Sequence, residues 1–195
     1  MILDTLAEST RKRVEARKLI TPLEKIKRKA SLVGMGGFEF ENALKKNSMA
    51  FICEVKKASP SKGIIAERFP YLEIASEYYR AGADAISVLT EPEYFKGSDD
   101  FLYEISKTVS TPLLRKDFTI DEYMIYEARL MGASAVLLIC ALLDTETLKS
   151  YIEICDSLGL SALVEAHSEA YYYPENPEAG IDLFLEKLAQ ETEKN

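Results

Sequence analysis

Five short apolar runs begin near Phe51, Ala85, Pro112, Ala135 and Ala162, at steps of 34, 27, 23 and 27 residues. Each step holds one strand, one helix and the turns between them, which is the length of a βα unit. The runs Ala85-Ile86-Ser87-Val88-Leu89 and Ala135-Val136-Leu137-Leu138-Ile139 are almost continuously apolar. Strands read this way when a parallel sheet is covered on both faces. The intervening segments, residues 71–81 and 123–131, are amphipathic at helical spacing. Gly82, Gly132 and Gly159 stand where helices end, and Asp121 and Asp144 where helix N-caps belong. The pattern predicts an α/β chain with about five parallel strands.

The segments on either side break the rhythm. Residues 1–48 read as a helical extension, with Ile2, Leu6 and Val14 on one face of a first helix. Thr21-Pro22-Leu23-Glu24 reads as a capping box with proline at the first helical position. It predicts a second, basic helix running toward Ala30, ended by Gly34, Gly36 and Gly37. A short helix over residues 38–44 leads into the first strand. Past the fifth strand, Ser168-Glu169 opens a helix-like stretch that Tyr171-Tyr172-Tyr173-Pro174 interrupts. A last helix is expected from Glu178, with Ile181, Phe184, Leu185 and Leu188 on one face. The expected division is therefore 1–48 helical extension, 49–170 barrel portion and 171–195 divergent helical tail.

Charge and cysteine usage narrow the function classes. A net charge of −8 argues against general binding to nucleic acid or anionic membranes. No apolar stretch reaches the length of a membrane span, and residues 1–17 lack the apolar core of a signal peptide. Cys53, Cys140 and Cys155 have neither metal-type nor disulfide-type spacing and predict reduced thiols in a cytoplasmic protein. The cysteine spacing suggests no metal site.

The chemistry is expected at the strand ends. Glu54 and Lys56 are two apart on the first strand and share one face, aiming a carboxylate and an ammonium at one place. The second strand ends in Thr90-Glu91, followed by Tyr94-Phe95-Lys96-Gly97-Ser98; the third ends in Lys116 and the fifth in Glu165. In a closed or nearly closed parallel barrel these ends converge on one mouth. Two lysines and two glutamates there can hold an anion, donate a proton and accept one. Taken singly, Lys116 reads more readily as a snorkelling side chain, Glu165 as an ion-pair partner, and Phe95 and Phe118 as core. Their common position at carboxyl ends favours a site. Ser59 and Ser61 either bind an anion or shape the turn around Pro60. His167, the single histidine, reads as a loop residue, and Cys53 and Cys140 as packing residues.

Three ordered motifs resemble the indole-3-glycerol phosphate synthase family: Glu54-Val55-Lys56-Lys57-Ala58-Ser59-Pro60-Ser61-Lys62-Gly63, Ser87-Val88-Leu89-Thr90-Glu91 with Tyr94-Phe95-Lys96-Gly97-Ser98, and Leu114-Arg115-Lys116-Asp117-Phe118. Leu137-Leu138-Ile139 and Leu163-Val164-Glu165 match as well, and the likeness runs to about Glu169. The resemblance implies a (β/α)8 TIM barrel with an N-terminal helical segment over its mouth. It implies a cofactor-independent lyase of tryptophan biosynthesis. The implied reaction closes the indole ring of 1-(2-carboxyphenylamino)-1-deoxyribulose 5-phosphate and releases carbon dioxide and water. By resemblance Lys116 is the general acid and Glu165 its partner in dehydration. Lys56 holds the substrate carboxylate, and Glu54 orients the lysines and substrate hydroxyls. Ser59 helps bind an anionic group, and Phe95 and Phe118 wall the aromatic ring.

The family's sixth to eighth strands, with its phosphate loop, have no counterpart in the sequence. The expectation is a partial barrel, truncated after the fifth strand, whose open sheet edges invite self-association. The partner implied is a small phosphorylated substrate. The alternative is a catalytically inactive barrel fragment that acts only as an oligomer or binding module. Another phosphate-handling (β/α)8 enzyme is a weaker option, against which the order of the motifs argues.

Overall fold

The structure is a computed structural model that describes residues 2–46 and 49–166. Three helices come first: α1 (Ile2–Ile20), α2 (Leu23–Val33) and α3 (Glu39–Leu44). Strand β1 (Ile52–Val55) opens the sheet, and a small hairpin follows, β2 (Ala58–Ser59) with β3 (Gly63–Ile64). Then come α4 (Tyr71–Arg80), β4 (Ala85–Leu89), α5 (Asp99–Thr108), β5 (Leu113–Lys116), α6 (Glu122–Leu130), β6 (Ala135–Ile139), α7 (Thr145–Leu158) and β7 (Ser161–Glu165). The sheet runs β1-β4-β5-β6-β7, every neighbouring pair parallel. Each predicted strand start falls within one residue of the observed one.

Burial follows position in the sheet. All residues of β4 and β6 are buried, as the unbroken apolar runs require. The sheet edges are more open: Phe51 is 57% exposed and Ile52 42%. One layer of core joins sheet and helices through Val55, Ile86, Val88, Leu102, Ile125, Val136 and Leu138. The opposite, concave face carries Ala85, Leu114, Ala135, Leu137 and Ile139, with Phe40 of α3 packed among them. Each strand therefore sends alternate residues to the two faces. A third cluster, Val14, Ile26, Tyr123 and Met124, fastens α1 and α2 to α6.

Asp121 and Asp144 cap their helices as expected, their carboxylates accepting the Tyr123 and Thr147 amides. Ser98 caps α5 in the same way. The start of α2 differs from the expected capping box. Pro22 is the N-cap residue, with extended ψ of 153°, and no side chain caps the helix. Its carbonyl accepts the Lys25 and Ile26 amides, so the helix begins one residue later than the box predicts. The Ser59-Pro60-Ser61-Lys62-Gly63 loop is also more ordered than a plain loop, because Ala58 pairs with Ile64 and Ser59 with Gly63.

Two glycines join the extension to the far end of α7. A Cβ on Gly36 would sit 2.5 Å from the Gly159 carbonyl oxygen, and one on Gly159 would sit 2.1 Å from that of Gly36. Gly159, at φ 65°, ends α7 in the left-handed region that glycine favours. The Gly36 amide donates to Leu158 O at 2.8 Å and Phe38 N to Gly159 O at 3.2 Å. Direct backbone contact leaves no space for a side chain at either position.

None of the three cysteines is in a disulfide. Burial pushes the Cys155 thiol up to about 12, so it stays protonated and inert at neutral pH. No helix among the described residues is long and apolar enough to cross a membrane. His167 and the expected 171–195 tail lie outside the described residues.

Candidate active site

A cavity of about 400 Å³ opens at the carboxyl ends of the sheet strands. Glu54, Lys56, Lys116 and Glu165 all line it, together with Phe95 and Phe118. The reason is topological. In a parallel sheet every strand ends on the same rim, so residues far apart in sequence become neighbours. Lys56 Nζ donates to Glu54 Oε1 in a close ion pair. On the other side of the rim, Lys116 Nζ donates to Glu165 Oε2 at 3.4 Å, spanning β6. All four side chains are about one-third exposed, so they are reachable by a ligand yet partly shielded from water.

The apolar wall is equally specific. The rings of Phe95 and Phe118 lie with centroids 6.1 Å apart, at 50°. Leu3 and Leu6 of α1, Leu89 of β4, and Leu137 and Ile139 of β6 extend this apolar wall. The cavity thus presents two cation–carboxylate pairs and an apolar surface broad enough for an aromatic ring. A helical segment over the mouth is what the family resemblance implies, but Leu3 and Leu6 were not singled out as lining residues. Leu3 and Leu6 carry no mark in the sequence beyond helical periodicity, and only tertiary packing brings them over the mouth.

Ser59 is not among the residues lining the cavity. Its hydroxyl accepts the Lys62 amide at 3.2 Å and lies 3.5 Å from the Ser61 hydroxyl, which is the turn-shaping role. The structure therefore gathers six of the seven singled-out residues around one cavity and leaves Ser59 on the hairpin beside it.

Two buried acids at the lining, quoted in the sequence motifs, were not singled out as site residues. Glu91 is 1% exposed. Its carboxylate accepts the amides of Glu93 at 2.8 Å, Tyr94 at 2.7 Å and Phe95 at 3.0 Å, which folds the loop that carries Phe95. Gly97 closes that loop against β4, where a Cβ would meet Leu89 O at 2.4 Å. Asp117 is the second. Burial by itself would raise its pKa, but Arg115 and Arg13 overcome this and hold it below the usual carboxylate range. Arg115, fully buried on β5, reaches Asp99 at 3.0 Å, Glu127 at 3.4 Å and the Met124 carbonyl at 2.8 Å. Arg17 of α1 binds the same Asp99 and Glu127. The signal was present: an arginine and an aspartate inside an apolar strand end must be paired. Their partners, 9 to 104 residues distant, could not be named from sequence.

Among the described residues, no group of three or more His, Cys, Asp and Glu side chains is placed to hold a metal ion. The ionisable groups at hand are lysine and carboxylate.

Fold and site together define a class: a parallel βα sheet of TIM-barrel type, with paired lysines and glutamates at its carboxyl rim and the helix α1 over the mouth. The family model described as indole-3-glycerol phosphate synthase matches residues 3–172. The chain belongs to the indole-3-glycerol phosphate synthase family, and its fold is a partial TIM barrel of that family. A curated protein named indole-3-glycerol phosphate synthase from Ruminiclostridium cellulolyticum is 62% identical over 170 residues, covering 87% of this chain and 65% of the relative. One of the same name from Endomicrobium trichonymphae is 54% identical over 170 residues, covering 87% and 66%. Another from Lachnoclostridium phytofermentans is 46% identical over 181 residues, covering 87% and 67%. The chain thus spans about two thirds of the length of these curated relatives. The likenesses lend no support to the alternative of an inactive fragment.

Proposed function

We propose that this chain acts as an indole-3-glycerol phosphate synthase, a carboxy-lyase of tryptophan biosynthesis working in the cytoplasm. Its substrate is 1-(2-carboxyphenylamino)-1-deoxyribulose 5-phosphate. One observation carries the reading: two lysine–glutamate pairs face one cavity whose wall is otherwise mostly apolar and aromatic. The family's printed name and the identities to its members support it.

The chemistry needs what the rim offers. The ring carbon bearing the carboxylate attacks the keto carbon, and a carbon–carbon bond forms as the carbonyl electrons move to oxygen. Lys116 gives that oxygen a proton, which makes the carbon electrophilic when it is needed. Carbon dioxide then leaves, and the electron pair returns to the ring. Lys116, reprotonated from solvent, then protonates the new hydroxyl, which departs as water. Glu165, hydrogen-bonded to Lys116, takes up the proton released as the double bond forms. Lys56 holds the carboxylate until it is lost, and Glu54 orients Lys56 and the substrate hydroxyls. Phe95 and Phe118 grip the aromatic ring, supplying orientation. Ser59 contributes to anion binding only where the substrate extends beyond the cavity onto the hairpin.

The test is direct. Purified chain is mixed with the substrate, and the indole chromophore and released carbon dioxide are followed. Appearance of both in equal amounts supports the reading, and absence of both at high enzyme concentration removes it. The open edges support a second element: the exposed Phe51 and Ile52 at the start of edge strand β1 suit self-association. Sedimentation that gives a single monomeric species at working concentration would rule this out.

A further inference from the structure

Asp117 stands directly between two proposed site residues. Lys116 precedes it and Phe118 follows, and all three line the cavity. Its own carboxylate is nevertheless fully engaged. One oxygen accepts Arg13 Nη2 at 2.8 Å and the Phe118 amide at 2.8 Å. The other accepts Arg13 Nη1 at 3.0 Å and the Thr90 hydroxyl at 2.7 Å. Four donors fill the four acceptor positions of a carboxylate. The group has no lone pair left for a substrate proton, so it cannot serve as the base. Its side chain has no exposed surface, and that of Arg13 is 14% exposed.

The geometry of this contact links the extension to the site. Arg13 lies on α1, the helix whose Leu3 and Leu6 wall the cavity. Thr10, fully buried one turn earlier, accepts from Arg13 Nη2 at 3.3 Å and holds the guanidinium in place. The two guanidinium nitrogens meet the two carboxylate oxygens as a planar fork, an arrangement lysine cannot reproduce. Thr90, at the end of β4, ties the same carboxylate to the neighbouring strand and also accepts from Arg115 Nε at 3.3 Å. The backbone from Lys116 to Phe118 is thus fastened from both sides.

We propose that Asp117 and Arg13 are a coupled pair of positioning residues: the fork between them sets the direction of Lys116 and the seat of Phe118, and makes α1 part of the catalytic unit. This rests on the function proposed above, and it adds two residues that touch no reacting atom.

The test is a double-mutant cycle on the full chain with Asp117→Asn, Arg13→Gln, their combination, and Arg13→Lys. If the wild type turns the substrate over, each single variant is expected to lower kcat about tenfold or more while KM changes less than threefold. The combined variant is expected to fall no further than the worse single one, and Arg13→Lys to recover only part of the rate. A kcat within twofold of wild type in both single variants, or losses that multiply in the combination, overturns the proposal. The second readout needs no turnover: the side-chain carbon signals of Lys116, assigned by their loss in Lys116→Arg, followed by NMR in chain labelled with ¹³C-lysine. Both single variants should displace these signals in the same way. If folded variants leave them where wild type has them, the positioning role is wrong whatever the activity. If the wild type is inactive but both variants displace the signals alike, the proposed function fails and the coupling stands.

Discussion

Lys116 Nζ reaches Glu165 Oε2 at 3.4 Å across strand β6, although 49 residues separate them in the chain. The pair faces a second one, Lys56 with Glu54, over the same cavity. Lys116→Ala should therefore lower turnover by about 100-fold or more, the usual worth of a positioned proton donor. Glu165→Gln should lower it too, with a smaller effect on substrate binding. Steady-state rates on folded variants decide, and an unchanged kcat in Lys116→Ala would remove the assigned mechanism.

The loop after β4 hangs on Glu91. Its carboxylate holds three consecutive backbone amides. In Glu91→Gln a single oxygen remains, and an amide group faces other amides. A loss of about 2 kcal/mol is expected, in the range of hydrogen bonds to a charged group. Hydrogen exchange at Glu93, Tyr94 and Phe95 should quicken selectively. Protection equal to wild type at these three amides would show that the loop does not depend on Glu91.

Gly36→Ala should destabilise the chain by about 2 kcal/mol, as overpacking against fixed backbone does. The obstacle is the carbonyl of Gly159, which has no rotamer to escape into. A urea midpoint equal to wild type would mean that the 34–38 segment moves away at no cost. Gly37→Ala makes the control, since its nearest neighbour beyond the chain's own links is the Glu39 carboxylate at 3.4 Å.

Acid should release the extension. Asp117 has a folded-state pKa below its unfolded value: burial opposes this, but Arg115 and Arg13 prevail. A depressed carboxylate contributes stability that is fully present above the unfolded value, about 3.9. That contribution is lost as the pH falls below this value and through the folded pKa. Asp117→Asn should therefore flatten stability against pH on the acid side. Chemical denaturation at pH 3 to 7 tests it, and a slope that matches wild type would assign acid sensitivity elsewhere.

Parallel strands were legible because their residues advertise burial on both faces, and β4 and β6 are buried throughout. Asp121 and Asp144 were legible as caps because capping is a local bond between side chain and backbone. Pro22 was misplaced by one residue because a capping box and a proline N-cap differ only in which backbone carbonyl starts the helix. Glu54, Lys56, Lys116 and Glu165 were legible because each is the charged end of an apolar run. The apolar face of α1 with Leu6 and Val14 was legible from its spacing, but not that Leu3 and Leu6 line the cavity or that Arg13 reaches Asp117.

The chain's own order of residues determined the βα rhythm, the caps and the charged strand ends, because each depends on contacts within a few residues. Tertiary structure alone decided which distant charges pair, which side chains of α1 reach the cavity, and that Asp117 is spent on Arg13 rather than free for chemistry. Those outcomes depend on distances between segments about a hundred residues apart, and no local preference encodes a distance of that kind.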